Sequence, residues 1–319
     1  MAVTTLERFR NGDIRALSRV VSYIEDRSDG YRELLARLYP DAGKALRIGL
    51  TGPPGAGKSS LINRLTKLYL SQGKKVGILA VDPTSPFTGG ALLGDRVRMQ
   101  DFEPGSGVFF RSMATRGATG GLAAATDNAA VAYDAFGFDI ILIETVGVGQ
   151  VELDVIDTCD SVVVAVVPES GDSVQTMKAG LMEIANVFVV NKADREGSER
   201  IASELGQSLE FRHMTEETWL PPIVRTVATA NTGIDELAGK IEAHIAHIRK
   251  TGAFQSHRKL QLRKKILSIL KNRFEKDLLE KLSGETSLDE QVERITTGSS
   301  NPYAIADQLY RDHLTVHSA

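Results

Sequence analysis

Between Lys44 and about His247 the chain alternates short apolar, β-branched runs with stretches whose apolar residues recur every three to four positions. That alternation predicts βαβ units, an α/β fold with a mostly parallel central sheet flanked by helices. Strands are expected at residues 47–50, 76–81, 108–111, 139–144, 161–167, 187–190 and 223–227, with the chemistry on the loops after their carboxyl ends. Residues 4–41 carry helical spacing in Leu6, Phe9, Ile14, Leu17, Val20, Val21, Ile24, Leu34, Leu35 and Leu38 and stop at Pro40. This predicts N-terminal helices over 1–43, laid on a domain spanning 44–250. Past Gly252 the pattern becomes one long, charged, amphipathic helix with Leu260, Leu262, Ile266, Ile269, Leu270, Phe274, Leu278 and Leu279 along a stripe. Region 251–319 is therefore read as helical, its stripe packing in cis or serving as a dimerisation arm against a second copy.

The strand at 47–50 runs into GPPGAGKSS, Gly52, Pro53, Pro54, Gly55, Ala56, Gly57, Lys58, Ser59 and Ser60, which fits the phosphate-loop spacing and opens a helix. Backbone N–H groups and the positive helix end favour a phosphate there. Lys58 would reach the β- and γ-phosphates, and the Ser59 hydroxyl is a suitable hard ligand for Mg2+. NKAD, Asn191, Lys192 and Asp194 included, follows the strand at 187–190. A carboxylate at Asp194 can accept from both N1–H and the exocyclic amine of guanine, whereas adenine would leave it unsatisfied. GTP and GDP are thus the expected ligands.

Glu144, in ILIETVGVGQ, closes another apolar strand, where a carboxylate can hold magnesium. Gly147 and Gly149 would let the following backbone approach and release the γ-phosphate, and Gln150 is a candidate for orienting water. The loop DPTSPFTGGALLGDR carries two more carboxylates, Asp82 and Asp95, and could order around the triphosphate; its alternative is a plain crossover. RSMATRGATGG, from Arg111, could bring basic groups to the site or form a solvated loop.

Composition narrows the classes. With 38 basic and 41 acidic residues and a net charge of −3 over 319 residues, no global field favours nucleic acid or an anionic membrane. One cysteine, Cys159, excludes a disulfide framework and reads as a core thiol. The start, MAVTTLERFRNGD, lacks an apolar leader, and no run approaches a membrane span, so a cytoplasmic protein is expected.

Taken together, GPPGAGKSS, VDPTSPFTGGALLGDR, RSMATRGATGG, ETVGVGQVE, PESGDSVQTMKAG and NKAD make the chain resemble the MeaB/ArgK-like P-loop GTPases over almost its whole length. The resemblance implies a homodimeric GTPase that chaperones an adenosylcobalamin-dependent acyl-CoA mutase such as methylmalonyl-CoA mutase, gating cofactor delivery and protecting the mutase. It further implies slow hydrolysis stimulated by the partner. Carried over by position, the magnesium and catalytic groups fall on Ser59, Asp82, Asp95 and Glu144, and Lys178 falls on a lysine that couples nucleotide state to the mutase. The base-contacting loop falls on Val227, Ala228 and Thr229; valine stands where the family usually has serine, and backbone N–H groups could still bind the guanine oxygen.

Three other readings compete. A kinase of an amino-acid (LAO/AO-type) transport system would use ATP, against NKAD. A metal-insertion GTPase would need a Cys/His cluster, whereas the six histidines are scattered. A scaffold with incidental hydrolysis would not need Lys58.

Overall fold

The computed structural model describes residues 3–82, 102–103, 105–114, 121–145, 153–154, 156–168, 181–210, 218–284 and 288–314. Two compact units are present, Met1–Arg258 and Lys259–Ala319.

Within the first unit the described residues form a seven-stranded sheet. Its strands are β1 (Leu46–Thr51), β2 (Val76–Asp82), β3 (Val108–Ala114), β4 (Ile140–Thr145), β5 (Ser161–Val166), β6 (Val187–Asn191) and β7 (Ile223–Thr226). They lie in the order β3-β2-β4-β1-β5-β6-β7, and every pair is parallel. Parallel strands need crossovers, which cover both faces with helices and bury the strands throughout. β4, β5 and β6 are accordingly buried from end to end.

Side-chain alternation divides these strands between two cores. Ile48, Leu50, Leu142, Val163, Ala165 and Val189 face one side, packed with α4 (Lys58–Ser71) and, after β7, the helix Ile234–Lys250. Ile141, Ile143, Val162, Val164, Val166 and Val190 face the other. That second core also takes in the N-terminal helices α1 (Val3–Arg10), α2 (Ile14–Glu25) and α3 (Tyr31–Leu38), together with α5 (Gly121–Phe136). Asp13 caps α2 by accepting from the N–H groups of Arg15 and Ala16, and the stripe Ala16, Leu17, Val20, Val21 and Ile24 is buried. Phe9 meets Phe136 edge to face at 5.2 Å, and Cys159 lies in the same core, where burial pushes its thiol pKa up.

Three acids with no motif signature fix this unit. Asp134 of α5 accepts from the N–H groups of Gly43, Lys44 and Ala45 at 2.7 to 3.0 Å and so holds the entry to β1. Asp160, just before β5, accepts from Arg47 N–H and from Arg258, all at 2.8 Å. Glu25 of α2 pairs with Arg111 at 2.6 Å. Arg111, expected as a basic group near the loops, is thus engaged by the N-terminal helices from the middle of β3; the rest of its segment, 115–120, lies outside the described residues.

The remaining elements are α6 (Leu181–Ile184), α7 (Ser198–Glu210), α8 (Ile234–Lys250), α9 (Ala253–Gly284), α10 (Leu288–Thr296) and α11 (Pro302–Leu314). In the second unit Asn301, just before α11, caps that helix by accepting from Ala304 N–H at 3.0 Å. Leu262, Ile266, Leu270 and Phe274, four residues apart along α9, are each about half exposed. No described helix is long and apolar enough to cross a membrane.

His244 of α8 is buried, with Nδ1 3.0 Å from Ser161 Oγ and the Trp219 ring against it. Burial, reinforced by His247 and His257, lowers its pKa from 6.5 to about 4. The unfolded chain takes up the proton near pH 6.5 and the folded chain only near pH 4. Stability is therefore unaffected above that window and falls as the pH drops through it, by up to about 3 kcal/mol. His244→Gln cannot ionise, so urea unfolding between pH 6.5 and 4.5 should show a flatter acid slope than the parent. Identical slopes would remove His244 from the acid response.

Candidate nucleotide site

The parallel register brings the carboxyl ends of β1, β4, β5 and β6 to one edge, where a switch in strand order opens a crevice for ligand. Leu50 pairs with Glu144 and Thr51 with Val164, so the loop leaving β1 emerges between the ends of β4 and β5. Two of its three glycines are required by space as well as by angle. Gly52 has φ +138°, and a Cβ there would stand 2.0 Å from the Ala165 carbonyl oxygen. Gly57 has φ +83°, and a Cβ would stand 2.3 Å from Asn191 Nδ2.

Lys58, the first residue of α4, is buried and donates to the carbonyls of Gly52 and Pro53 at 2.7 and 2.9 Å. The ammonium is thereby folded over the loop that would take the phosphates. Ser59 donates to Glu144 Oε1 at 2.5 Å, joining the helix N-terminus to the end of β4. Behind them Thr145 and Thr51 are joined at 3.0 Å by their hydroxyls. The pair Ser59 and Glu144 fits a magnesium ion: both present hard oxygens, and such an ion takes further ligands from phosphate and water without needing a protein cage. Among the described residues no cluster of three His, Cys, Asp or Glu side chains could hold a metal.

Asn191 anchors the side of the site expected to take the base. It is 2% exposed, donates to the Ala56 carbonyl at 2.9 Å, and accepts from Thr226 Oγ1 and Ala228 N–H at 3.0 and 3.2 Å. One amide thus fastens the phosphate loop to the turn after β7. The register Asn191 to Thr226 makes this possible. Lys192 has φ +56°, a conformation that a non-glycine residue rarely adopts and that turns the chain sharply before Asp194, which is exposed. Ala193 N–H then bonds the Thr226 carbonyl at 3.0 Å. Val227, expected inside the last strand, instead bridges to Thr232 and closes a tight turn over Ala228–Ala230.

A cleft of about 510 Å3 is lined by Ser59, Ser60 and Glu144 as well as by Ala228 and Thr229, so phosphate-side and base-side groups face one space. Arg64, which no motif indicated, also lines it. Of the other expected site residues, Asp82 closes β2 at the same edge of the sheet. Asp95, Lys178, Gly147, Gly149 and Gln150 lie outside the described residues.

Comparison with known proteins gives the same picture. A family model described as methylmalonyl Co-A mutase-associated GTPase MeaB matches residues 15–283. A Pyrococcus abyssi protein named "Putative GTPase" is 45% identical over 309 residues, covering 96% of this chain and 95% of that one. The mouse protein named methylmalonic aciduria type A homolog, mitochondrial, is 34% identical over 284 residues, 86% of this chain and 68% of the relative. Among solved structures, a crystal structure described as LAO/AO transport system kinase superposes with a TM-score of 0.72 at 25% identity, covering 98% of this chain and 97% of the other. The fold is that of a P-loop GTPase, the activity is GTP hydrolysis, and the chain belongs to the MeaB family of methylmalonyl Co-A mutase-associated GTPases.

Proposed function

We propose that this GTPase is a nucleotide-gated chaperone of an adenosylcobalamin-dependent acyl-CoA mutase, such as methylmalonyl-CoA mutase, working as a homodimer in the cytoplasm. The observation that carries the reading is the family match over 15–283, which takes in the phosphate loop, Glu144, NKAD and most of α9. The site geometry supports a switch. Ser59 and Glu144 hold each other directly, and a magnesium nucleotide would compete for both oxygens. Its arrival and departure would therefore act on the end of β4, where the ETVGVGQ segment begins.

In this account Lys58 and the loop N–H groups stabilise charge on the γ-phosphoryl group during attack by water, Asp194 selects guanine, and Ser59 and Glu144 hold magnesium, which neutralises phosphate charge when bound. The exposed stripe of α9 supplies an apolar face for a second copy.

Sedimentation velocity with a purified mutase tests both points. The chain alone should sediment as a dimer, and its affinity for the mutase should differ at least about fivefold between GDP and a non-hydrolysable GTP analogue. A monomer would remove the dimer, and equal affinities the gating. The description of the superposed structure as a transport system kinase favours a second reading; transfer of labelled phosphate from ATP to an amino-acid-binding protein would establish it.

A further inference from the structure

Arg64 sits six residues beyond Lys58 on α4 and is half-buried. Its Nε donates to the Ala228 carbonyl and its Nη2 to the Thr229 carbonyl, each at 2.8 Å. Both carbonyls belong to the turn after β7. From the opposite side the turn is held by Asn191, which accepts from Ala228 N–H, and by the Val227–Thr232 bridge, whose two backbone hydrogen bonds measure 3.1 and 3.2 Å. Gly233 closes it: φ is +75°, and a Cβ would stand 2.3 Å from the Arg225 carbonyl oxygen. Ala230 N–H is committed to the Val227 carbonyl at 3.0 Å. In a trans peptide the N–H points opposite to the C=O it shares a plane with. Drawing the Ala228 carbonyl toward α4 therefore also fixes the direction of the Thr229 N–H.

We infer that Arg64 is a positioning residue for guanine recognition, fastening the base-side turn to the helix that grips the phosphates, so that the turn's Thr229 N–H is preset for the guanine carbonyl oxygen. The inference rests on assigning residues 227–229 and NKAD to the base. Arginine suits the task because its planar fork presents parallel donors at fixed spacing to two neighbouring carbonyls, which one ammonium cannot satisfy in the same way. Because α4 carries Lys58 and Ser59 at its start and Arg64 one and a half turns later, phosphate grip and base turn are fastened to the same helix.

The test is calorimetry on the full chain with GDP, xanthosine diphosphate and inorganic pyrophosphate, for the parent and for Arg64→Ala, Arg64→Lys and Asp194→Asn. Arg64→Ala should weaken GDP about tenfold while pyrophosphate, which engages only the phosphate loop, stays within about twofold. Arg64→Lys should fall between. Unchanged GDP affinity overturns the proposal, and so does an equal loss for GDP and pyrophosphate, which would make Arg64 a support of α4 alone. Asp194→Asn is the separate control. Xanthine carries a carbonyl where guanine carries its amine, so preference should move to xanthosine diphosphate; if it does not, the base assignment itself is wrong and the inference falls with it.

Discussion

Replacing Lys58 by alanine is expected to lower GTP turnover by about a hundred- to a thousandfold, roughly 3 to 4 kcal/mol of lost transition-state stabilisation. The charge is held where it counts. The Lys58 ammonium is buried against the Gly52 and Pro53 carbonyls, so it needs little reorganisation to meet a phosphate entering the same loop. Low-dielectric surroundings make that charge worth far more than a lysine in water. The variant also takes a donor from two loop carbonyls; that of Pro53 still accepts from Ala56 N–H at 3.2 Å, so the Gly52 carbonyl is the one left short, at about 1 to 3 kcal/mol if it stays unsatisfied, and the loop itself should loosen. Two readouts separate these effects. Turnover at saturating GTP reports the lost charge, and the rise in melting temperature on adding GDP reports loop integrity. Turnover within tenfold of the parent would mean that hydrolysis does not depend on this ammonium, as a scaffold with incidental hydrolysis allows.

Asp160→Ala should be the most destabilising single change outside the site, by about 3 to 5 kcal/mol in urea unfolding. The Asp160 carboxylate is 1% exposed and accepts two bonds from Arg258 and one from Arg47 N–H. Arg258 in turn donates to the Gly43 and Ala45 carbonyls at 2.7 Å and lies 4.4 Å from the Phe254 ring centroid. Truncating the acid leaves a largely buried guanidinium without its counter-charge and an unpaired N–H at the start of β1. Asp160→Asn should cost less, since its amide oxygen still accepts. A loss below about 1 kcal/mol for the alanine variant would show that Arg258 finds other partners and that this network does not hold the root of α9.

These two residues differ in how far the sequence revealed them. Lys58 is visible because chemistry demands a fixed spacing: glycines where φ is positive, a lysine, a hydroxyl and a helix. Strands were legible for a related reason, since parallel strands buried on both faces become continuous apolar runs such as SVVVAV and IILI. The alternation between two cores is hidden inside such runs, because both faces are apolar. Strand ends shifted by a residue or so, as at Val227, where a bridge to Thr232 replaces strand pairing. Asp160, Asp134 and Arg64 were not legible at all. Each acts on backbone groups far away in the chain, 90 residues from Asp134 to Lys44 and 164 from Arg64 to Ala228, and no local spacing encodes a contact of that range. Asn191 was recognised for the base it accompanies, yet in the structure it chiefly ties the phosphate loop to the turn after β7. Lys58→Ala would miss that coupling, so Arg64 and Asn191 are the positions expected to act on specificity and Lys58 the one expected to act on rate.

On the proposed function, nucleotide state and mutase binding are coupled through this site. Thermodynamic linkage makes the coupling reciprocal: whatever factor separates mutase affinity in the two nucleotide states must also separate nucleotide affinity with and without mutase. The most direct measurement is therefore the affinity of the chain for GDP and for a non-hydrolysable GTP analogue, titrated alone and in the presence of saturating mutase. With such coupling the ratio of the two affinities changes by at least about fivefold when mutase is added. A ratio unchanged by mutase, with both nucleotides bound, would contradict it.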